Sequence, residues 1–243
     1  GLNTAVGASA GLAVTTGVEN TLIGALAGDA LTDADFNVAI GSGALTGDTL
    51  GSRSVAIGRN ALATQNFTTA TSVNNTAVGY EAGKGTTTGI DNCLFGSNAG
   101  YALTDADDNV ALGRSALATD TLGSKSTAVG NNALNAQNFT TATDTYNTAV
   151  GFSAGTAVTT GTENVLIGGL AGDALTSGGQ NVAVGHAALS AEDGHGQNTA
   201  IGYLALVAQN AGATAYNTAV GSQAGAAVTT GVENTLIGGL SGL

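Results

Sequence analysis

The chain has 243 residues, of which 17 are acidic and five are basic, so its formal net charge at pH 7 is -12. This balance argues against binding to nucleic acid or to an anionic membrane surface, because both partners need a basic face. The sequence also lacks an apolar run of about 18 residues, so no membrane insertion is expected.

One nonapeptide dominates the sequence. A motif of the type Asn-Thr-Ala-Val-Gly-x-x-Ala-Gly, first present at residues 3–11, recurs fourteen times at steps of 17 residues, apart from two steps of 21 and one of 19. A fixed period of this kind predicts a single repeat array over residues 1–243. The fourteen units begin at Asn3, Asn20, Asn37, Ser54, Asn75, Asn92, Asn109, Ser126, Asn147, Asn164, Asn181, Asn198, Asn217 and Asn234.

A longer period is superimposed on the first. The ninth position of the unit is Gly in two successive units and Leu in the next two, and the third position is Ala except at Leu22, Leu94, Leu166 and Leu236, in the second unit of each set. Four units therefore form one super-repeat, with boundaries at residues 3–74, 75–146, 147–216 and a partial copy at 217–243. Duplication of a four-unit block is the simplest explanation.

The Thr-Ala-Val-Gly segment of each unit predicts one strand of about four or five residues, because its β-branched residues are bounded by residues that favour turns. A second strand is expected after the Ala at position eight. In the first strand the second and fourth positions share a bulky face, whereas the third and fifth positions form a face of Ala and Gly. Cys93 occupies a second position, where we expect a small buried side chain rather than a reactive or interchain thiol.

Stacked copies of this unit form a β-solenoid, so the predicted fold class is an all-β parallel β-solenoid of 14 coils with about 17 residues per coil. At about 4.8 Å per coil the rod is on the order of 65 Å long. The Asn that opens twelve units is expected to form a structural ladder of side-chain amides: Asn3, Asn20, Asn37, Asn75, Asn92, Asn109, Asn147, Asn164, Asn181, Asn198, Asn217 and Asn234.

A thin coil encloses little apolar area, so we expect the chain to associate with itself through the Ala and Gly face, and a homotrimer is the natural closed arrangement. The open ends of the rod favour end-to-end pairing or capping by further chain. The array is therefore expected to be a segment of a longer fibre.

Two long steps insert bulges at residues 65–71 and 137–143, and these carry Phe67 and Phe139. Two interpretations remain open for these aromatic residues. Either they are exposed and contact a glycan or a neighbouring fibre, or they pack over an adjacent coil or across a chain interface.

Closely spaced carboxylates on corner segments raise the possibility of bound calcium, with Asp33, Asp35, Asp105 and Asp107 as candidate ligands. No calcium-binding motif is present, and a solvated acidic edge is the alternative. His186 and His195 have no equivalents in other units and are expected to be ordinary surface or corner residues. No other metal and no cofactor are predicted, and no catalytic arrangement can be assembled.

The units at residues 54–62 and 75–83 resemble the head repeats of trimeric autotransporter (YadA-like) adhesins and the related repeats of phage tail fibres and other secreted trimeric fibres. The resemblance covers the whole chain, although the coils here are longer and no stalk-like heptads or membrane anchor are present. It implies a left-handed β-roll, three chains around a common axis, and a role in attachment outside the cell or on a virion.

The favoured hypothesis is a non-enzymatic structural fibre segment, extracellular, on a cell surface or on a virion. Two alternatives are a glycan-binding adhesin head that uses the Phe67 and Phe139 bulges to contact a host receptor or glycan, and a polysaccharide-acting enzyme. Acidic residues spread along the repeat, rather than gathered in one groove, argue against the enzyme.

Overall fold

The computed structural model describes residues 1–243 as an all-β parallel solenoid of 14 turns, with a spacing of about 17 residues. Each turn contributes one three-residue strand, shorter than the four or five residues expected, and four two-residue strands lie elsewhere. In chain order the strands are β1 Thr4–Val6, β2 Thr21–Ile23, β3 Val38–Ile40, β4 Gly51–Ser52, β5 Val55–Ile57, β6 Thr71–Ser72, β7 Thr76–Val78, β8 Cys93–Phe95, β9 Val110–Leu112, β10 Gly123–Ser124, β11 Thr127–Val129, β12 Thr143–Asp144, β13 Thr148–Val150, β14 Val165–Ile167, β15 Val182–Val184, β16 Thr199–Ile201, β17 Thr218–Val220 and β18 Thr235–Ile237.

The fourteen three-residue strands form one parallel sheet in which every strand pairs with the equivalent strand of the next coil. The register is fixed by the repeat, so that Ala5 faces Leu22 and Leu22 faces Ala39. Only 28 of the 145 backbone hydrogen bonds join two strand residues, and the other 117 involve at least one residue of a turn or corner. The corners are therefore stacked coil on coil as the strands are.

The expected second strand after position eight is wrong. Those residues form turns in every coil. The additional strands lie before the next unit instead, as the pairs β4–β6 and β10–β12 beside the two bulges. A coil of about 17 residues must turn sharply at positions five to nine, and several residues there have positive φ, which no strand can accommodate.

The strand face of small residues lies inside the coil. In the twelve three-residue strands between the two end coils the middle residue is buried and its neighbours point outward, as in Val38, Ala39 and Ile40; in β1 and β18 the middle residue is not buried. The third-position Ala residues from Ala39 to Ala219 are 0% exposed. The expectation that the Ala and Gly face lies between chains is therefore wrong, because this narrow interior admits mainly Ala at the strand, and the β-branched residues occupy the outer surface.

Position five of the unit requires Gly for two reasons: the backbone there has a positive φ, and the next coil approaches it closely. These glycines have φ between +118° and +144°, a region that L-residues rarely adopt. A Cβ added at any of the first thirteen would lie 2.3 to 2.6 Å from the carbonyl oxygen of the next position-five Gly. Backbone therefore stacks directly on backbone at this corner.

The four-unit period is a consequence of how the interior is filled. Leu22 extends from the third position into the space above and below it, and a Cβ added at Gly11 or Gly28 would lie 2.7 or 2.8 Å from its methyl groups. In the next two coils the third position is Ala, and Leu45 and Leu62 fill the interior from the ninth position, each with 0% exposure. The alternation conserves core volume between neighbouring coils.

Candidate functional site

The asparagine column runs inside the solenoid at the corner that precedes each strand. Ten of the twelve Asn residues are buried; Asn3 and Asn234, in the end coils, are not. The side-chain oxygen of one coil accepts the backbone N–H that opens the next, at 2.7 to 3.2 Å in eleven places. The side-chain nitrogen donates to a carbonyl 14 residues further on, at 2.6 to 3.1 Å in ten places. Apart from Asn198 and the terminal Asn234, each amide thus links successive coils and closes its own coil.

Where Ser replaces Asn, a buried polar cluster takes over this corner. The Asp48 carboxylate is completely buried and accepts three hydrogen bonds, from the backbone N–H groups of Gly51 and Phe67 at 3.0 Å each and from the Gln65 amide at 2.6 Å. Gln65 also donates to the Ser54 hydroxyl at 3.0 Å, and its oxygen accepts the Asn75 amide at 2.9 Å.

The second super-repeat contains the same cluster at Asp120, Gln137 and Ser126, with matching bonds of 2.6 to 3.1 Å. In both copies every carboxylate oxygen of the Asp has a donor. A buried charge with satisfied hydrogen bonds of this kind is a structural element. Sequence reasoning missed the cluster, although the polar residue at position twelve of the third and fourth units was a visible signal.

The bulge aromatics are not exposed contact residues. Phe67 and Phe139 are each 7% exposed, and their backbone N–H groups bond to the buried carboxylates of Asp48 and Asp120. Of the two interpretations of these residues, contact with a glycan from an exposed bulge is therefore wrong, because the bulge folds its ring inward while Thr68, Thr69 and Ala70 remain exposed.

The calcium candidates are engaged in bonds between coils. Asp33 and Asp105 accept hydrogen bonds from threonine hydroxyls of the preceding coil, and Asp35 and Asp107 each accept a backbone N–H at 2.8 Å. The structure brings together one group of three residues of the metal-binding types, Glu192, Asp193 and His195, with one ligand atom from each within 4.8 Å of the others. None of the four aspartates belongs to it. Calcium at these aspartates stays a prediction without a ligand cluster to support it.

The carboxylates at the corner around Asp107 affect one another's charge. Burial raises the pKa of Asp107, and the neighbouring carboxylates of Asp105, Asp108 and Asp91 raise it further, against the lowering effect of the hydrogen bond from Ile90. Burial likewise raises the pKa of Asp173. Elsewhere a basic residue has the opposite effect. Lys125 bonds to Asp144 at 2.5 Å and lowers the pKa of that carboxyl.

The outer face of the long sheet is uncharged along the whole stack. It carries the second and fourth positions of all fourteen units, where no charged residue occurs. Several of its large side chains are 37 to 49% exposed: Phe95, Val110, Leu112, Ile167 and Ile201. Cys93 lies on this face and is exposed, so its expected burial is wrong for the single chain.

A second group of exposed side chains follows the sheet at position six. Tyr80, Phe152 and Tyr203 are 47 to 61% exposed there. Arg59 lies over the Tyr80 ring and donates to its hydroxyl at 3.2 Å, and His186 stacks on Tyr203 with 5.8 Å between ring centroids. These contacts join one coil to the next along the surface.

The structure contains no helix long and apolar enough to cross a membrane. No protein-family model, no curated protein and no solved structure matches this chain.

Proposed function

We propose that this protein is a non-enzymatic structural fibre segment that associates with two further copies of itself and acts in attachment, extracellularly, at a cell surface or on a virion. In this role the rod holds a receptor-binding or adhesive element away from the particle or cell. The resemblance of the repeats to trimeric fibre and adhesin heads supports the same role.

The observation that carries this proposal is the uncharged outer face of the sheet. A chain with a net charge of -12 places no charge at the 28 outward strand positions of its fourteen units and instead presents Val, Ile, Leu, Phe and Thr along the whole stack. A largely apolar, uncharged face of this length is unusual on an isolated chain, and it supports a role of this face in an interaction. Burying it would stabilise an assembly by the hydrophobic effect.

A second copy of this chain is the partner whose coil spacing matches that of the outer face. Side chains on the face repeat at the spacing of the coils, and a partner can follow that spacing over fourteen strands only if it has the same rise per coil. Three flat faces that meet around one axis leave none of them exposed, which is the closed solution for identical chains. End-to-end pairing through the edge strands β1 and β18 would extend such a rod into a filament.

The structure disfavours the glycan-binding alternative, because its two contact residues, Phe67 and Phe139, are buried. Exposed aromatics at position six offer another surface for such a partner, but two of them, Tyr80 and Tyr203, already contact Arg59 and His186 of the neighbouring coil.

The mass of the particle in solution tests the proposal. Sedimentation equilibrium of the wild-type chain should give about three times the chain mass of 23.2 kDa. The double variant Phe95→Asp/Leu112→Asp, which places two carboxylates on the outer face, should sediment as a monomer with an unchanged far-ultraviolet circular dichroism spectrum.

Phe36→Asp is the matched control, since Phe36 is 46% exposed but lies on a corner outside this face. It should leave the mass of the assembly unchanged. A wild-type monomer at micromolar concentration, or equal dissociation by the control, would contradict association through this face.

A further inference from the structure

The third super-repeat departs from the other two at one corner. Where the first two place Asp48 and Gly51, or Asp120 and Gly123, the third has Glu192 and His195. The change lengthens the buried acid by one carbon and adds an imidazole where the two equivalent coils have Gly.

The longer acid loses the donors that satisfy its counterparts. Glu192 is 0% exposed, and one carboxylate oxygen lies 3.1 Å from Nδ1 of His195. The other oxygen is buried and has no hydrogen-bond partner. The Gln209 amide, which corresponds to the donor to Asp48, lies 3.5 Å from the Asn198 oxygen instead. A buried, unsatisfied carboxylate oxygen is costly, so a missing partner is expected here.

A third ligand group lies beside this pair. Asp193 Oδ1 is 3.9 Å from His195 Nδ1, and one ligand atom from each of Glu192, Asp193 and His195 falls within 4.8 Å of the others. Two ligands of a tetrahedral zinc ion, each about 2.0 to 2.1 Å from the metal, lie about 3.3 Å apart. The separations of 3.1 and 3.9 Å bracket that value.

We propose that Glu192, Asp193 and His195 bind a divalent transition metal ion of the zinc class. An imidazole together with two carboxylates favours such an ion over calcium, which prefers an all-oxygen shell. Bound at Glu192 Oε1, the ion places its charge beside a buried carboxylate whose second oxygen, Oε2, has no hydrogen-bond donor, and it fixes the corner between the eleventh and twelfth coils. This site is independent of the outer face and of self-association.

Solvent reaches the site from one side. The His195 side chain is 27% exposed and the Asp193 side chain 55%, whereas that of Glu192 is fully buried. His195 also lines an open polar depression of about 390 Å³ together with Ser177 and Thr214. An ion can therefore enter without unfolding of the coil, and water can occupy the fourth position.

Isothermal titration calorimetry tests this site: zinc chloride is titrated into the tag-free, metal-stripped full chain. We expect one zinc ion per chain. His195→Ala and Glu192→Gln should each weaken binding by at least about tenfold. His186→Ala should bind as the wild type does, because His186 is the chain's other histidine and lies outside the cluster.

A double variant distinguishes loss of the metal ligands from loss of folding. Glu192→Asp/His195→Gly recreates the residues of the first two super-repeats at this corner and should fold, as judged by circular dichroism, without binding zinc. Zinc should also raise the thermal midpoint of the wild type but not of this variant. Wild type that binds no zinc, or binding that survives His195→Ala and is lost in His186→Ala, would overturn the proposal.

Discussion

At the scale of single residues, this fold depends on side chains that replace backbone hydrogen bonds. The asparagine column and the Asp–Gln clusters satisfy N–H and C=O groups at a corner where the chain turns too sharply for a strand ladder. Such groups are buried away from water, so each one left without a partner destabilises the coil.

Asn164→Ala tests the column directly. The substitution removes the acceptor for the Asn181 N–H, at 3.0 Å, and the donor to the Gly178 carbonyl, at 2.9 Å. We expect the free energy of unfolding to fall by about 2 to 5 kcal/mol, because two buried backbone groups lose their partners. Urea denaturation measures the change. Asn210→Ala, at an exposed Asn, is the control and should cost less than about 0.5 kcal/mol; equal losses would argue against a role of the column.

Asp107→Asn tests the raised pKa at the acidic corner. Asn keeps the oxygen that accepts the Ile90 N–H and removes a charge that burial and three neighbouring carboxylates disfavour. Since the folded pKa is raised, the stability that protonation contributes is fully present below the ordinary value of 3.8 and is lost as the pH rises through the folded pKa.

At pH 7 the variant should therefore be more stable than the wild type by less than about 1 kcal/mol, and the difference should disappear near pH 3.5. Urea denaturation at the two pH values measures it. A variant that is less stable at pH 7 would show that the ionised carboxylate stabilises this corner.

At the scale of the structural element, neighbouring coils must be compatible in volume. A leucine at the third position needs Gly at the ninth position of its own coil and of the coil before it, as Leu94 does with Gly100 and Gly83. The super-repeat of four coils is therefore a packing unit, and a coil cannot be exchanged freely for one of another type.

A double-mutant cycle at Gly83 and Leu94 measures this coupling. Leu94→Ala should cost about 2 to 5 kcal/mol through the cavity that it leaves. Gly83→Ala should cost about 1 to 3 kcal/mol, because the new methyl group would lie 2.7 Å from Leu94 Cδ1 and 2.9 Å from Leu62 Cδ2. The double variant should be more stable than the sum predicts by about 1 kcal/mol.

Gly212→Ala separates steric overlap from backbone strain in this cycle. Gly212 also has a positive φ, of 68°, but an added Cβ there meets nothing within 4 Å. Its loss of stability should reflect strain alone, about 1 kcal/mol. Strictly additive effects at Gly83 and Leu94 would contradict the packing explanation.

At the scale of the whole molecule, charge and apolar surface are segregated. The acids lie on turns and corners, apart from Asp144 in the two-residue strand β12, whereas the outer face of the long sheet carries none. In the proposed trimer the chains, each with a net charge of -12, repel one another while the apolar face holds them together.

Association should therefore strengthen with ionic strength. Between about 0.01 M and about 1 M salt the screening length falls from about 30 Å to about 3 Å, which removes most of the repulsion between chains. Sedimentation equilibrium across this range should show tighter assembly at high salt. Dissociation at high salt would instead indicate that attraction between opposite charges holds the copies together.

The period by itself determined the class of fold, the number of coils, the in-register pairing and the alternation of strand faces, because equal spacing forces equivalent residues into one column. Which face points inward was decided only by the tertiary structure: a coil closed by Asn amides leaves a strand interior with room mainly for Ala, so the β-branched residues lie outside. Burial of Phe67 and the meeting of Glu192 with His195 also depended on how corners of adjacent coils stack, since residues that do not repeat have no column to reveal their neighbours.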